Sequence, residues 1–210
     1  MNLRSLILVA LSVPACARAQ DQSRPKVPAI PLATAGLAGQ SVAVLPLTML
    51  IADPSVPGTS GAAARTTLLR WADSLLGDKL LERAPEVTWV LPPALRASAQ
   101  RAAGLVPSPD QMGQAVMRAP NLKELPDPLR GYVRQLVGLA GGGRFAFIPA
   151  ALALTPAGGD SLMVQLSAVL ADGRVGRVLW RTLATGQGAT AELAYRAALA
   201  TLFLPDPGSP

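Results

Sequence analysis

Asp78 and Glu82 stand four residues apart, which on a helix puts two carboxylates on one side, as paired acid–base chemistry requires. At that spacing they are more simply a solvated helix face. Gly58-Thr59-Ser60-Gly61 falls between an expected strand and an expected helix, the polarity of a phosphate-cradling loop. It lacks the Gly-Lys-Ser/Thr ending and any nearby lysine, so it reads as a connection that caps a helix. Gly141-Gly142-Gly143 leaves a helix for a strand, the wrong polarity for an anion site, and reads as a helix stop. Ser161 and Lys123 have no recognisable Ser-Lys spacing, and Asp172 is first of all a turn residue.

Histidine is absent from all 210 residues, and Cys16 is the single cysteine. Ser-His-Asp and Cys-His catalysis, imidazole-liganded metals, a zinc knuckle and an intrachain disulfide are all excluded. The sequence therefore assigns no catalytic residue, no metal ligand and no cofactor-binding residue, and the expected class is not an enzyme. Trp71, Trp89 and Trp180 read as core or core-edge side chains. Arg177 and Arg181, placed on the less apolar face of the last strand, are the candidates for partner binding. An arginine on a strand also commonly lays its stem over neighbouring leucines.

Export must come before any of this chemistry. Met1 to Arg4 form a basic start, residues 5–13 an apolar stretch, and Ala17-Arg18-Ala19 offers small residues ahead of a cut after Ala19. That is the layout of a secretory signal peptide over residues 1–19. Val13-Pro14-Ala15-Cys16 offers a second processing route, lipidation at Cys16, although Pro14 departs from the usual lipobox. Either route places the chain in the periplasm or on the periplasmic side of an outer membrane. Cleavage after Ala19 removes Arg4 and Arg18, lowering the net charge from +6 to +4. The remaining basic residues are scattered, only Lys26, Lys79 and Lys123 are lysines, and aromatics are 4%. No nucleic-acid partner is expected.

Residues 20–39, with Pro25, Pro28 and Pro31, read as a linker, residues 40–204 as one domain, and residues 205–210 as a disordered tail. No charged residue occurs from Val27 to Ala52, but prolines and glycines interrupt that stretch and its apolar heart, 42–52, is too short to cross a bilayer, so it reads as a buried strand over 41–47. Ser60 is placed to cap a helix over 62–83, with Leu68, Leu69, Ala72, Leu75, Leu76 and Leu80 as its apolar stripe and Arg70, Asp73, Asp78 and Glu82 on the wet side. A strand at 87–91 and a helix opened by Pro92-Pro93 follow. Ser108-Pro109-Asp110-Gln111 opens a further helix that must stop before Pro120. The next helix carries Leu129, Val133, Leu136 and Val137, and the period then changes to alternation.

Residues 145–154 read as a strand in which Pro149 marks an edge or a bulge. Asp172-Gly173 marks a hairpin between strands at 162–170 and 175–184. On the second of these, Val178, Trp180 and Thr182 are expected on one face, and Leu179 and Leu183 on the other with Arg177 and Arg181. Thr190 caps a closing helix with Tyr195, Ala198, Leu199 and Leu202. The fold class is α/β (α+β): a mixed β-sheet with helices mainly on one face, in the order β-α-β-α-α-α-β-β-β-α.

Three segments carry a family resemblance. Ser41-Val42-Ala43-Val44-Leu45-Pro46-Leu47, the helix leading into Arg144-Phe145-Ala146-Phe147-Ile148, and the hairpin ending in Val178-Leu179-Trp180 together resemble the periplasmic domain shared by the TolB amino-terminal region, the curli-secretion lipoprotein CsgG and the penicillin-binding-protein activator LpoB. No long alternating inserts match the membrane-spanning hairpins of CsgG, and no β-propeller of the TolB kind is present. The resemblance implies a non-catalytic envelope module that binds another protein or self-associates, and it transfers no site residues. A periplasmic small-ligand or glycan-binding protein is the alternative from a different class.

Overall fold

The computed structural model describes residues 32–203, so the expected signal segment, the expected processing sites at Cys16 and Ala19, residues 20–31 and the expected tail lie outside the described residues. Its strands are β1 (Ser41–Val44), β2 (Leu50–Ala52), β3 (Thr88–Val90), β4 (Phe145–Pro156), β5 (Leu162–Asp172) and β6 (Val178–Gly188). The helices are α1 (Ala62–Arg83), α2 (Pro92–Arg101), α3 (Leu129–Leu139) and α4 (Ala191–Leu202). One six-stranded mixed sheet runs β3-β1-β4-β5-β6, with β2 pairing β4 off that path. β1 is parallel to β3 and β4, while β4, β5 and β6 form an antiparallel meander. The mixed α/β expectation is met.

The strand expected over 41–47 ends at Val44, and a second short strand that was not expected, β2, follows in line against β4. Ala43 and Val44 pair with Ala146 and Phe147, the ladder breaks, and Leu50 to Ala52 pair with Leu152 to Leu154. The break has a physical cause on both sides. Pro46 cannot donate to a ladder, and on β4 the register shifts between Pro149 and Ala151 where another donor is missing. Pro149 thus marks a bulge, one of its two expected meanings, in an interior strand.

Both faces of the sheet are buried at the β1–β4 end. Phe147, Val42, Val44, Leu166 and Leu170 face α1 and α4, where Ala72, Leu76, Leu80, Tyr195 and Leu199 complete one core. Ala146, Ile148, Val169 and Leu45 face the other way, onto Leu95 of α2, Val133 and Leu136 of α3, and Met112 and Met117. The helical stripes did not convey this second layer, because a stripe says that a helix is covered and not which sheet face covers it.

Four local expectations differ. The helix expected after Ser108 is two 3-10 turns, Pro109–Gln111 and Gln114–Arg118, separated by Gly113 in the left-handed region. Ser108 does accept the Asp110 amide hydrogen, but Gly113 stops the turn from growing. Gly61, at φ 84°, occupies the N-cap of α1, and Ser60 makes no capping bond. Within the stretch expected as linker up to Gly39, Leu32 and Leu37 are buried in the core and the Leu32 amide donates to the Leu202 carbonyl. Val178 and Trp180 turn to opposite cores, because the ladder is irregular between Leu170 and Ala171.

Two glycines fix how α4 lies on β6. A Cβ on Gly186 would sit 2.1 Å from the Ala198 nitrogen, and one on Gly188 would sit 2.7 Å from the Ala194 nitrogen. Helix backbone therefore rests directly on strand backbone at these two positions.

Candidate functional site

The strongest constellation of ionisable groups lies beneath the break between β1 and β2. Asp73, in the middle of α1, is only 6% exposed. Its Oδ1 accepts the Leu47 amide hydrogen at 2.7 Å, and its Oδ2 accepts from Arg96 Nη2 at 3.3 Å. Arg96, on α2, donates at 2.8 to 3.1 Å to both oxygens of Asp110. Next to them Gln114 is fully buried and donates from Nε2 to the Pro46 carbonyl at 2.7 Å. The node thus ties α1, α2 and both 3-10 turns to the Leu45-Pro46-Leu47 connection.

Burial pushes the Asp73 carboxyl up to about 6, against the Leu47 hydrogen bond and the Arg96 charge that favour its ionised form. Arg96 compensates weakly because its short contacts go to Asp110. A raised carboxyl in a cleft is a general-acid candidate. Here, however, both oxygens are engaged, by a backbone amide and by a guanidinium, so the geometry describes a strut. Tyr195 lies close by, its hydroxyl pushed far above its usual range by burial and donating to the Ala72 carbonyl at 3.3 Å.

Sequence reasoning missed Asp73, Arg96 and Gln114, and put Asp73 on the wet side of α1. A signal was present. Asp73 follows Leu69 by four residues and precedes Leu76 by three, so it sits on the border of the stripe it was read as facing away from.

The two candidate arginines are not equivalent. Arg181, half-buried on β6, donates to the Met117 carbonyl and, at 2.9 Å, to the Leu122 carbonyl. Burial lowers the pKa of its guanidinium. Arg177 is exposed in the turn before β6, where its backbone bridges Glu124. Below that turn Asp172, 1% exposed, accepts from Arg144 Nε at 2.6 Å and from the amides of Arg174 and Val175. Burial pushes its carboxyl up, but these hydrogen bonds together outweigh burial and hold it below the usual carboxylate range.

The remaining candidates are placed as follows. Thr59 of the glycine loop is buried and donates its hydroxyl to the Val56 carbonyl at 2.8 Å. Glu82 pairs with Lys79 at 2.9 Å, and with Asp78 it borders a hollow of about 200 Å³ between α1 and α4. The Ser161 hydroxyl donates to the Gly158 carbonyl at 2.7 Å, and the Lys123 carbonyl accepts the Val178 amide. Trp89 is buried and donates to the Ala84 carbonyl, whereas Trp71 and Trp180 are half-buried, with their rings tilted against those of Tyr195 and Phe147 at centroid distances of 5.8 and 6.3 Å. No group of three or more acidic or cysteine side chains placed to hold a metal occurs among the described residues. A hollow of about 480 Å³ is lined by residues 121–127 and Arg130.

No family model matches the chain. No curated protein matches it either. Among solved structures it is similar to the LpoB C-terminal domain from Salmonella enterica, with 16% identity and a TM-score of 0.38 over 73% of this chain and 84% of that one. It is also similar to lipoprotein GNA1162 from Neisseria meningitidis, with 18% identity and a TM-score of 0.36 over 72% of this chain and 82% of that one. The hypothetical protein CT253 from Chlamydia trachomatis shows 11% identity and a TM-score of 0.39 over 71% of this chain and 73% of that one. Among the described residues no helix is long and apolar enough to cross a membrane.

Proposed function

We propose that the protein is an exported, non-catalytic accessory module of the bacterial cell envelope that binds another protein. The observation that carries this reading is the leader pattern of residues 1–19, a basic start, an apolar stretch and small residues before Gln20, joined to a single α/β domain. The internal polar groups fit the reading. Asp73, Arg96, Asp172 and Arg181 each hold backbone or a neighbouring charge in place, which is how a binding scaffold uses its ionisable residues. Arg177 is the candidate contact that stays on the surface.

The test is recovery of crosslinked complexes from envelope fractions, using the native leader and a carboxy-terminal tag. One stoichiometric envelope protein, lost on Arg177→Ala, supports the reading and names the partner. Recovery of the chain alone shifts the function to a small-ligand or glycan binder. The hollow beside Asn121 and Arg130, of about 480 Å³, is then the place to look.

A further inference from the structure

Basic residues that are scattered along the chain meet at one end of the sheet, where β5 stops and β4 and β6 begin. There Arg144 pairs with Asp172, and Arg174 of the following turn donates to the Gly142 carbonyl at 3.1 Å. The turn is seated on α3. A Cβ on Gly173 would lie 2.9 Å from Val137 Cγ2, and one on Gly176 would lie 2.5 Å from the Cδ of Arg130. Arg134 follows Arg130 by one helical turn. The backbone of Arg177 bridges Glu124, and the carbonyl of the adjoining Lys123 accepts the Val178 amide hydrogen.

The excess of positive charge is concentrated at this end. Residues 32–203 hold fifteen basic and eleven acidic side chains, an excess of four. Six of the basic ones stand here against three acids, Glu124, Asp127 and Asp172, so three of the four excess charges are in this one place. Asp172 is taken up by Arg144, and Asp127 by Arg130. Among the described residues, the exposed side chains of Lys123, Arg134 and Arg177 have no hydrogen-bond or ion-pair partner. Val175, between Arg174 and Arg177 at the tip of the turn, is 62% exposed.

We propose that this end docks an acidic segment of a partner protein, a run of carboxylates with an apolar side chain among them; this rests on the chain being a protein-binding module. Lys123, Arg134 and Arg177 are the free cations, and a guanidinium fork takes a carboxylate through two parallel hydrogen bonds. Val175 adds an apolar contact beside them. The exposed Glu124 and Asp127 argue against a flat anionic surface as the occupant, because a lipid bilayer meets both with like charge. A bilayer also gains only about 1 kcal/mol per basic residue near its surface, too little for an excess of three with one protruding valine. A peptide chain can set its carboxylates at the three free cations and its neutral residues at the two acids.

Fluorescence anisotropy of a labelled glutamate-rich peptide carrying one leucine, titrated with the exported, processed chain up to about 1 mM, tests this. The expected result is binding that weakens as salt rises and that Arg134→Glu combined with Arg177→Glu weakens at least about tenfold. Arg70→Glu combined with Arg118→Glu makes the same change in net charge at exposed sites outside this end and weakens binding less than about threefold. Lys123→Glu serves as a further variant at this end, and each variant's thermal midpoint shows that it folds. No binding, equal loss in the two double variants, or tighter binding to phosphatidylglycerol vesicles than to the peptide overturns the proposal. An envelope protein still captured by the Arg134→Glu, Arg177→Glu variant also overturns it and leaves the protein-binding reading standing. Capture of no envelope protein by the wild-type chain sinks that reading, and this docking with it.

Discussion

Asp73 Oδ1 holds the amide of Leu47 at 2.7 Å, so a carboxylate in the middle of a helix supplies the hydrogen bond that the broken β1–β2 line does not. Asp73→Ala orphans that buried amide and removes a partner of Arg96, at a cost of about 1–3 kcal/mol. Asp73→Asn keeps an acceptor and costs less. Urea unfolding of the two variants, read as midpoints at constant slope, checks the order.

The same carboxyl makes stability pH-dependent. Its folded pKa of about 6 lies above the unfolded value, so the folded state binds more protons between about pH 4 and 6. Its contribution is fully present below about pH 4 and is lost as pH rises through 6, by up to about 3 kcal/mol. The difference between wild type and Asp73→Asn, followed by urea unfolding from pH 4 to 7, should narrow or reverse as pH rises. A flat difference would place the group in solvent.

Arg177 and Arg181 should separate cleanly. Arg181→Ala frees two carbonyls beneath the start of β6 and lowers stability by about 1–3 kcal/mol. Arg177→Ala, on the surface, stays within about 0.5 kcal/mol of wild type. Equal effects in thermal melts would contradict the geometry.

Gly186 and Gly138 should respond to alanine with opposite signs. At Gly186 the added methyl collides with the α4 backbone, and overpacking of this kind costs about 1–3 kcal/mol or more. At Gly138, in α3, nothing lies within 4 Å of the added Cβ, and alanine gains up to about 1 kcal/mol of helix stability. Calorimetric midpoints of the two variants decide.

Leu37, 4% exposed, should behave as core although it precedes the first strand. Leu37→Ala is expected to cost about 2–5 kcal/mol. A loss well below 1 kcal/mol in chemical denaturation would return this segment to the linker.

Much of the fold was legible because its signals are local. The alternation through Leu162, Val164 and Leu166, the Asp172-Gly173 turn and the Thr190 cap each act within a few residues and are present, although the strand after the turn starts at Val178 and not at 175 as expected. What was hidden depends on partners far along the chain. Asp73 looks solvated until Leu47 and Arg96 are brought to it, and the split between β1 and β2 needs Pro149 about a hundred residues later. Arg181 looked like a free contact because its acceptors, the carbonyls of Met117 and Leu122, are backbone and leave no mark in composition. The second face of the sheet was misjudged for a related reason: α2 and α3 show apolar stripes, but only the crossover connections decide which side they take.

The sheet also divides the chain by time of assembly. β4, β5, β6 and α4 are consecutive and pair with their immediate neighbours, whereas β1 and β2 must wait for β4, whose residues leave the ribosome about a hundred positions later. Contacts of such long separation form late. In any amino-end-first passage, the leucine-rich α1 emerges well before the strands that cover it, and it needs shelter until the carboxy-terminal meander arrives as a template.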